Sequence, residues 1–265
     1  MNIGIVQSSP VFGEVEDNLV DCFDLMASQS ADLWVLPELF ATGYQFLSPD
    51  EARALAEPVP SGKTTQALIA CAAKNACFVV AGLPEVDGVN VYNTSVLVGP
   101  DGFLSRYRKI HLFYEEKLHF SPGDLPFAVV DIGIAKVGMM ICFDHLFPES
   151  ARSLALQGAD VICHPANLVL PDLAQRTMSI RALENGIYTA TSNRIGTEAR
   201  ADESLTYTGH SQVVGPDGEA LVRLSQDLVE VAVVEIDIAK ARNKAITKHN
   251  DKLGDRRPDY YSCSR

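Results

Sequence analysis

Two heptapeptides, Ala31–Pro37 (ADLWVLP) in the first half of the chain and Ala159–Pro165 (ADVICHP) in the second, share one pattern: a small residue, an aspartate, four mostly apolar residues and a proline. Such runs are too short for helices and too continuously apolar for half-exposed strands, so they read as strands buried on both faces. The segments around them supply the cover. In the first half, a strand is expected at Asn2–Ser8, a helix at Glu16–Ala27, the strand Asp32–Pro37, a helix at Thr64–Lys74 and a buried strand at Cys77–Leu83. Two further strands, Asn93–Val98 and Phe103–Arg108, flank the turn Gly99-Pro100-Asp101-Gly102. The second half repeats the rhythm, with strands at Ala135–Ile141, Asp160–His164 and Tyr188–Ser192, helices at Pro148–Gln157 and Ala174–Asn185, and the turn Gly215-Pro216-Asp217-Gly218. The fold expected is α/β: two helix-backed sheets packed face to face in a four-layer α-β-β-α sandwich. Because α/β units resemble one another anyway, an internal duplication is left open.

No low-complexity stretch or Pro/Ser-rich linker divides the 265 residues, so one domain over 1–265 is expected. The net charge of −12 speaks against nucleic acid or an anionic membrane as the main partner, since both require a basic footprint. No apolar run approaches the roughly 18 residues of a membrane span. The start, Met1-Asn2-Ile3-Gly4-Ile5, has no basic n-region, and Cys22, Cys71, Cys77, Cys142, Cys163 and Cys263 are irregularly spaced without a C-x-x-C pair. Reduced thiols in a cytoplasmic protein are therefore expected, with neither a disulfide framework nor a zinc site. The charge is uneven: Lys240 to Arg265 holds eight basic and three acidic residues.

In open α/β sheets, functional side chains emerge where the chain leaves the carboxyl end of a strand. Three such exits carry unusual residues: Glu38 after DLWVLP, Lys109 after Arg106-Tyr107-Arg108, and Cys142 after Val137-Gly138-Met139-Met140-Ile141. Each alone has an ordinary reading as a cap, a surface charge or inert core. Together they offer a base, an electrostatic stabiliser and a nucleophile. His111, His119, His145, His164, His210 and His249 form no metal-ligand spacing, and a Cys142–His145 dyad is disfavoured because side chains three apart on a turn point apart. Nucleotide-binding glycine motifs and the G-x-S-x-G elbow are absent.

Pro37-Glu38-Leu39-Phe40 with Thr42-Gly43-Tyr44, Tyr107-Arg108-Lys109-Ile110-His111-Leu112, and Ile141-Cys142-Phe143-Asp144 with Phe147-Pro148-Glu149 resemble the three signature blocks of the nitrilase superfamily of carbon–nitrogen hydrolases. Arg181-Ala182-Leu183-Glu184-Asn185, Asn193-Arg194-Ile195-Gly196 and Asp255-Arg256-Arg257-Pro258-Asp259-Tyr260 extend the resemblance to the tail, and the arrangement is most similar to small archaeal-type nitrilases and aliphatic amidases. The resemblance implies the α-β-β-α sandwich, a Glu38-Lys109-Cys142 triad, and Glu116 as a second glutamate orienting the lysine and the substrate's amino group. It implies no metal and no organic cofactor, and a C-terminal arm, 240–265, extending across a homodimer interface. The basic arm would then lie on an acidic neighbouring subunit.

The implied chemistry starts from a thiol that is only a few per cent ionised at neutral pH. Glu38 would take the Cys142 proton, Lys109 would favour the thiolate, and Lys109 with the Phe143 N–H would meet the developing negative charge. Tyr44, Phe113, Tyr114, Phe143, His145 and Asn167 are candidates to wall the substrate pocket. Family amidases for carboxylate-bearing substrates often have an arginine just before Phe-Pro-Glu; here His145-Leu146 stands instead, removing the obvious anchor. A small neutral aliphatic amide or nitrile is thus expected as the partner. The alternatives are an N-carbamoyl or ω-amido acid, an acyl transfer to an amine, and a non-catalytic binding member of the family.

Overall fold

A computed structural model describes residues 1–200 and 202–261. The first half runs β1 (Asn2–Gln7), α1 (Val15–Ala27), β2 (Leu33–Val35), α2 (Pro49–Leu55), α3 (Lys63–Asn75), β3 (Phe78–Asp87), β4 (Asn90–Gly99) and β5 (Gly102–Arg108). After α4 (Glu116–His119) come β6 (Val129–Asp131), β7 (Lys136–Met139), α5 (Pro148–Leu156), β8 (Val161–Pro165), α6 (Leu173–Asn185) and β9 (Tyr188–Ser192). A small hairpin of β10 (Thr197–Glu198) and β11 (Leu205–Thr206) precedes β12 (Gln212–Val214), β13 (Ala220–Arg223), β14 (Glu230–Glu235) and α7 (Ile238–Arg242).

The two six-stranded sheets run β14-β1-β2-β3-β4-β5 and β13-β12-β9-β8-β7-β6. In the first, β1, β2 and β3 are parallel and the other pairings antiparallel; in the second, β7, β8 and β9 are the parallel set. Read from β14 and from β6 the plans coincide: one antiparallel edge strand, three parallel strands, two antiparallel ones. The repeated heptapeptides fall on β2 and β8, the middle parallel strand of each sheet. The two halves that share the heptapeptide pattern thus share one strand plan.

Alternation along the buried strands divides their side chains between two layers. Leu33 and Val35 of β2, with Val80 of β3, meet Val137 and Met139 of β7 and Val161 and Cys163 of β8 in the core between the sheets. Trp34, Leu36, Val79 and Ala81 face the other way, onto Leu19, Cys22 and Met26 of α1 and Leu68 and Ala72 of α3. On the second sheet Ile162 packs with Ala151 and Leu154 of α5 and Met178 of α6. Both first parallel strands carry a glycine where this packing is closest. A Cβ on Gly4 would sit 2.3 Å from the Trp34 ring, and one on Gly138 would sit 2.9 Å from Leu154.

Two sequence expectations shift. β3 does not stop at Leu83 but continues to Asp87, pairing with Asn90, so β4 starts earlier than Asn93. The added length carries buried Glu85, which is satisfied by Arg108 and Thr94, and an apolar count cannot see a charge that is paired within the fold. The strand expected at Ala135–Ile141 is shorter, β7 ending at Met139, and a 3₁₀ turn over Cys142–Leu146 precedes α5, which opens at Pro148 as expected. Cys263 lies outside the described residues.

The basic tail is partly satisfied within the chain. Lys244 Nζ donates to the carbonyls of Asn185 and Gly186, and Lys252 Nζ to those of Leu183 and Pro216, so both lysines serve the C-terminal end of α6. Arg242 pairs with Asp160. Part of the basic excess is therefore satisfied within the chain.

Substituting Gly4 by alanine should cost about 1–3 kcal/mol, because the rigid Trp34 ring cannot move aside as a flexible side chain would. Denaturant unfolding followed by far-ultraviolet circular dichroism will measure it, and adding Trp34→Leu should recover part of the loss.

Candidate active site

Glu38 and Lys109 have no exposed surface and Cys142 retains 4%. They reach one place from different sheets: Glu38 stands immediately after Pro37 at the end of β2's apolar run, Lys109 directly follows β5, and Cys142 follows β7 of the other sheet. Lys109 Nζ donates to Glu38 Oε1 at 2.7 Å and to Glu116 Oε1 at 2.7 Å. Asn93 Nδ2 donates to the same Glu38 oxygen at 2.7 Å, and the Tyr44 hydroxyl to Glu116 Oε1 at 2.7 Å. Glu38 Oε2 is buried with no hydrogen-bond partner. Asn167 joins the two sheets at this point: its Nδ2 donates to the Glu38 carbonyl at 2.9 Å, and its own carbonyl lies 3.8 Å from Cys142 Sγ.

Cys142 occupies the left-handed region, φ 41°, which a non-glycine residue holds at a cost of about 1–3 kcal/mol unless its surroundings fix it. They do so on both sides. Asp144 Oδ2 accepts the Ile141 N–H at 2.8 Å, and His164 Nε2 donates to the Cys142 carbonyl at 2.8 Å. Asp144 is itself held by the Tyr107 hydroxyl at 2.8 Å and by His111 Nδ1 at 2.7 Å.

Two buried carboxylates share one buried ammonium, and the protonation states follow. Burial opposes the charge on Lys109, but Glu116 and Glu38 outweigh it and hold the ammonium well above its ordinary value. Burial, with Glu38 nearby and against the pull of Lys109, pushes Glu116 up to about 7. Burial also pushes the Cys142 thiol well up, Glu38 and Glu116 add to this, and Lys109 offsets only part. Lys109 thus favours the thiolate, as expected, but burial and the two carboxylates outweigh it.

Of the six residues expected to wall the pocket, Phe113, Phe143, His145 and Asn167 line a cavity with Cys142, joined by Leu168, Val169, Leu170 and Leu173. Its volume is about 20 Å³, space for about one water-sized group. Tyr44 and Tyr114 line a separate small cavity with Phe46 and Phe120. Tyr44 still reaches the cluster through Glu116, but Tyr114 does not: the chain turns there at φ 49°, the ring is half exposed, and its hydroxyl donates to Glu203. The Cys142–His145 dyad does not form. His145 Nδ1 pairs with the Thr177 hydroxyl at 2.6 Å, and burial lowers its pKa to about 3, leaving it neutral. Asn93, Asp144 and His164 were not singled out from sequence, because a polar residue in or beside a strand carries no periodic signal. Among the described residues no group of three or more His, Cys, Asp or Glu side chains is placed to hold a metal ion.

The family model for carbon-nitrogen hydrolases matches residues 2–245. The chain belongs to that family. This carbon-nitrogen hydrolase is 48% identical over 264 residues to a nitrilase of Pyrococcus abyssi, covering 98% of this chain and 99% of that one. It is 34% identical to an (R)-stereoselective amidase of a Pseudomonas species, covering 97% and 92%. Among solved structures, a variant of the amidase from Nesterenkonia sp. AN1 aligns with a TM-score of 0.80 at 27% identity, covering 98% of this chain and 94% of that one. That structure shows covalent addition of the acetamide moiety of fluoroacetamide at its active-site cysteine.

Because the folded-state pKa of Glu116 lies above its ordinary value, folding favours its protonated form. The stabilisation is full below the ordinary value of 4.5 and is lost as pH rises through about 7. Wild-type protein should therefore lose up to about 3 kcal/mol relative to Glu116→Gln between pH 5 and pH 8, read from denaturant unfolding at each pH.

Proposed function

We propose that the chain hydrolyses a small neutral aliphatic amide or nitrile to the carboxylic acid and ammonia through a thioester on Cys142. The observation that carries this reading is the unpartnered Glu38 Oε2 in a buried cluster with Lys109, next to a strained and buried thiol. Glu38 takes the thiol proton as sulfur attacks the substrate carbon, so the thiolate is never exposed as a resting species. An ammonium has three donors, and Lys109 spends two on Glu38 and Glu116. The third, with the Phe143 N–H, meets the negative charge on the substrate oxygen or nitrogen. Such donors contribute about 3–4 kcal/mol each in comparable acyl-transfer sites. From an amide, the Glu38 proton then leaves with ammonia; from a nitrile, a first water adds to the thioimidate before ammonia departs, and in both cases Glu38 activates the water that hydrolyses the resulting thioester. Glu116 holds Lys109 in place.

The cavity supports the substrate class. Its lining is mostly apolar and contains no Arg or Lys, while nearby Arg181 is turned onto the carbonyls of His145 and Leu146. A carboxylate-bearing substrate would find no free cation there. Steady-state assays should give higher kcat/KM for propionamide or propionitrile than for an N-carbamoyl amino acid or an ω-amido acid; preference for the N-carbamoyl substrate would overturn the class. Cys142→Ala should abolish turnover, and Lys109→Ala should lower kcat at least about 100-fold and slow iodoacetamide labelling of Cys142. A wild-type protein with an unreactive Cys142 and no turnover would instead be a binding member of the family.

We also propose that the 240–265 arm packs on a second copy of the chain. Ile246, Tyr260 and Tyr261 leave apolar surface exposed on it. Sedimentation should show a dimer for the full chain and a monomeric or unfolded protein after truncation before Lys240; a stable, active dimer of the truncated chain would refute the role.

A further inference from the structure

We propose that His164, backed by Thr191, is a positioning residue that fixes the Cys142–Phe143 peptide so that the Phe143 N–H faces the charge developing on the substrate. The inference rests on the thioester reading above and concerns how its oxyanion site is held.

His164 lies on β8 and Thr191 on β9, paired in register, and both are buried. His164 Nε2 is 2.8 Å from the Cys142 carbonyl oxygen. A carbonyl only accepts, so Nε2 carries the proton and Nδ1 presents a lone pair. The Thr191 hydroxyl, 3.0 Å away, donates to it. Two bonds thus fix both the tautomer and the plane of the ring. Burial lowers the His164 pKa to about 4, so the ring stays neutral and keeps this arrangement around neutral pH.

The consequence runs through peptide planarity. In a trans peptide the C=O and N–H point to opposite sides, so a Cys142 carbonyl drawn back onto β8 turns the Phe143 N–H the other way. Among the described residues that N–H meets no acceptor. The φ of 41° at Cys142 makes the anchor necessary, since an unrestrained cysteine would rotate out of the left-handed region and swing this peptide with it. The preceding peptide is tied separately, through the Ile141 N–H and Asp144. Removing His164 therefore loosens the peptide after the sulfur, leaving it to the 3₁₀ turn over Cys142–Leu146 alone, without touching the bond that holds the one before it. The two heptapeptides mark the same specialisation: the half that ends in Cys142's sheet has His164 where the other has apolar Leu36.

The test separates attack by sulfur from stabilisation of the oxyanion. Amide hydrolysis needs both, whereas alkylation of Cys142 by iodoacetamide displaces iodide at a saturated carbon and forms no oxyanion. With propionamide as substrate, His164→Leu should lower kcat roughly 100-fold with little change in KM, and leave the alkylation rate within about threefold of wild type. His164→Gln, whose amide nitrogen reaches about as far as Nε2, should restore most of kcat. Thr191→Val, a milder change, should lower kcat by about threefold to tenfold, again with alkylation unchanged, and supplies the measurement if His164→Leu does not fold. Equal losses of alkylation and turnover, undiminished turnover in Thr191→Val, or a glutamine variant no better than leucine would each overturn the proposal. A wild type without amidase or nitrilase turnover, or a Cys142→Ala variant that retains it, would refute the thioester reading itself.

Discussion

A lysine ammonium with no solvent contact is tolerated only where anions replace its water, and the chain commits two carboxylates to Lys109. That requirement organises the centre of the molecule. Glu38 has to arrive from the end of β2, Lys109 from the end of the β4–β5 hairpin, and Glu116 from the loop that folds back to start α4. Asn93 and Tyr44 then occupy oxygens that would otherwise stay bare. Two negative charges against one positive leave the cluster short of a proton. Burial, with Glu38 nearby and against the pull of Lys109, pushes Glu116 toward neutrality and the Cys142 thiol well up.

The sulfur comes from the other sheet, so its meeting with the cluster depends on how the sheets pack. Because the sheets share one plan, equivalent strand ends face one another across the core. β2 exits through Pro37 to Glu38, and β8 exits through Pro165 and Ala166 to Asn167, whose side chain bonds the Glu38 backbone. The two corresponding strand ends thus carry different groups, a carboxylate after Pro37 and, two residues after Pro165, the amide that holds it. The inter-sheet core of Val35, Val80, Met139 and Cys163 fixes their separation, which is why apolar packing remote from the thiol bears on its chemistry.

Much of this was legible in the residues. The paired heptapeptides, the two Gly-Pro-Asp-Gly turns and the strand exits at Glu38, Lys109 and Cys142 gave the layered fold and the cluster, because apolar periodicity and turn chemistry are local properties. Phe113, Phe143 and His145 were placed at the cavity for a similar reason, since they sit within a few residues of those exits, and Asn167 stands just beyond the end of β8. Tyr114 was misplaced because one left-handed residue reverses the direction of a side chain, and nothing in an aromatic's identity announces that. The tail's charge was only partly legible, since counting cannot tell a lysine that bonds the end of its own α6 from one awaiting a partner.

The sequence by itself therefore determined the layers, the order of the strands' contents and the chemical types gathered at the strand exits. Only the tertiary structure decided the protonation of Cys142, the neutrality of His145 and His164, and the direction of the peptide that follows the sulfur. These depend on burial and on hydrogen bonds between residues far apart in the chain. A residue's type sets which proton it can carry, but the dielectric and the partners around it set whether it carries it.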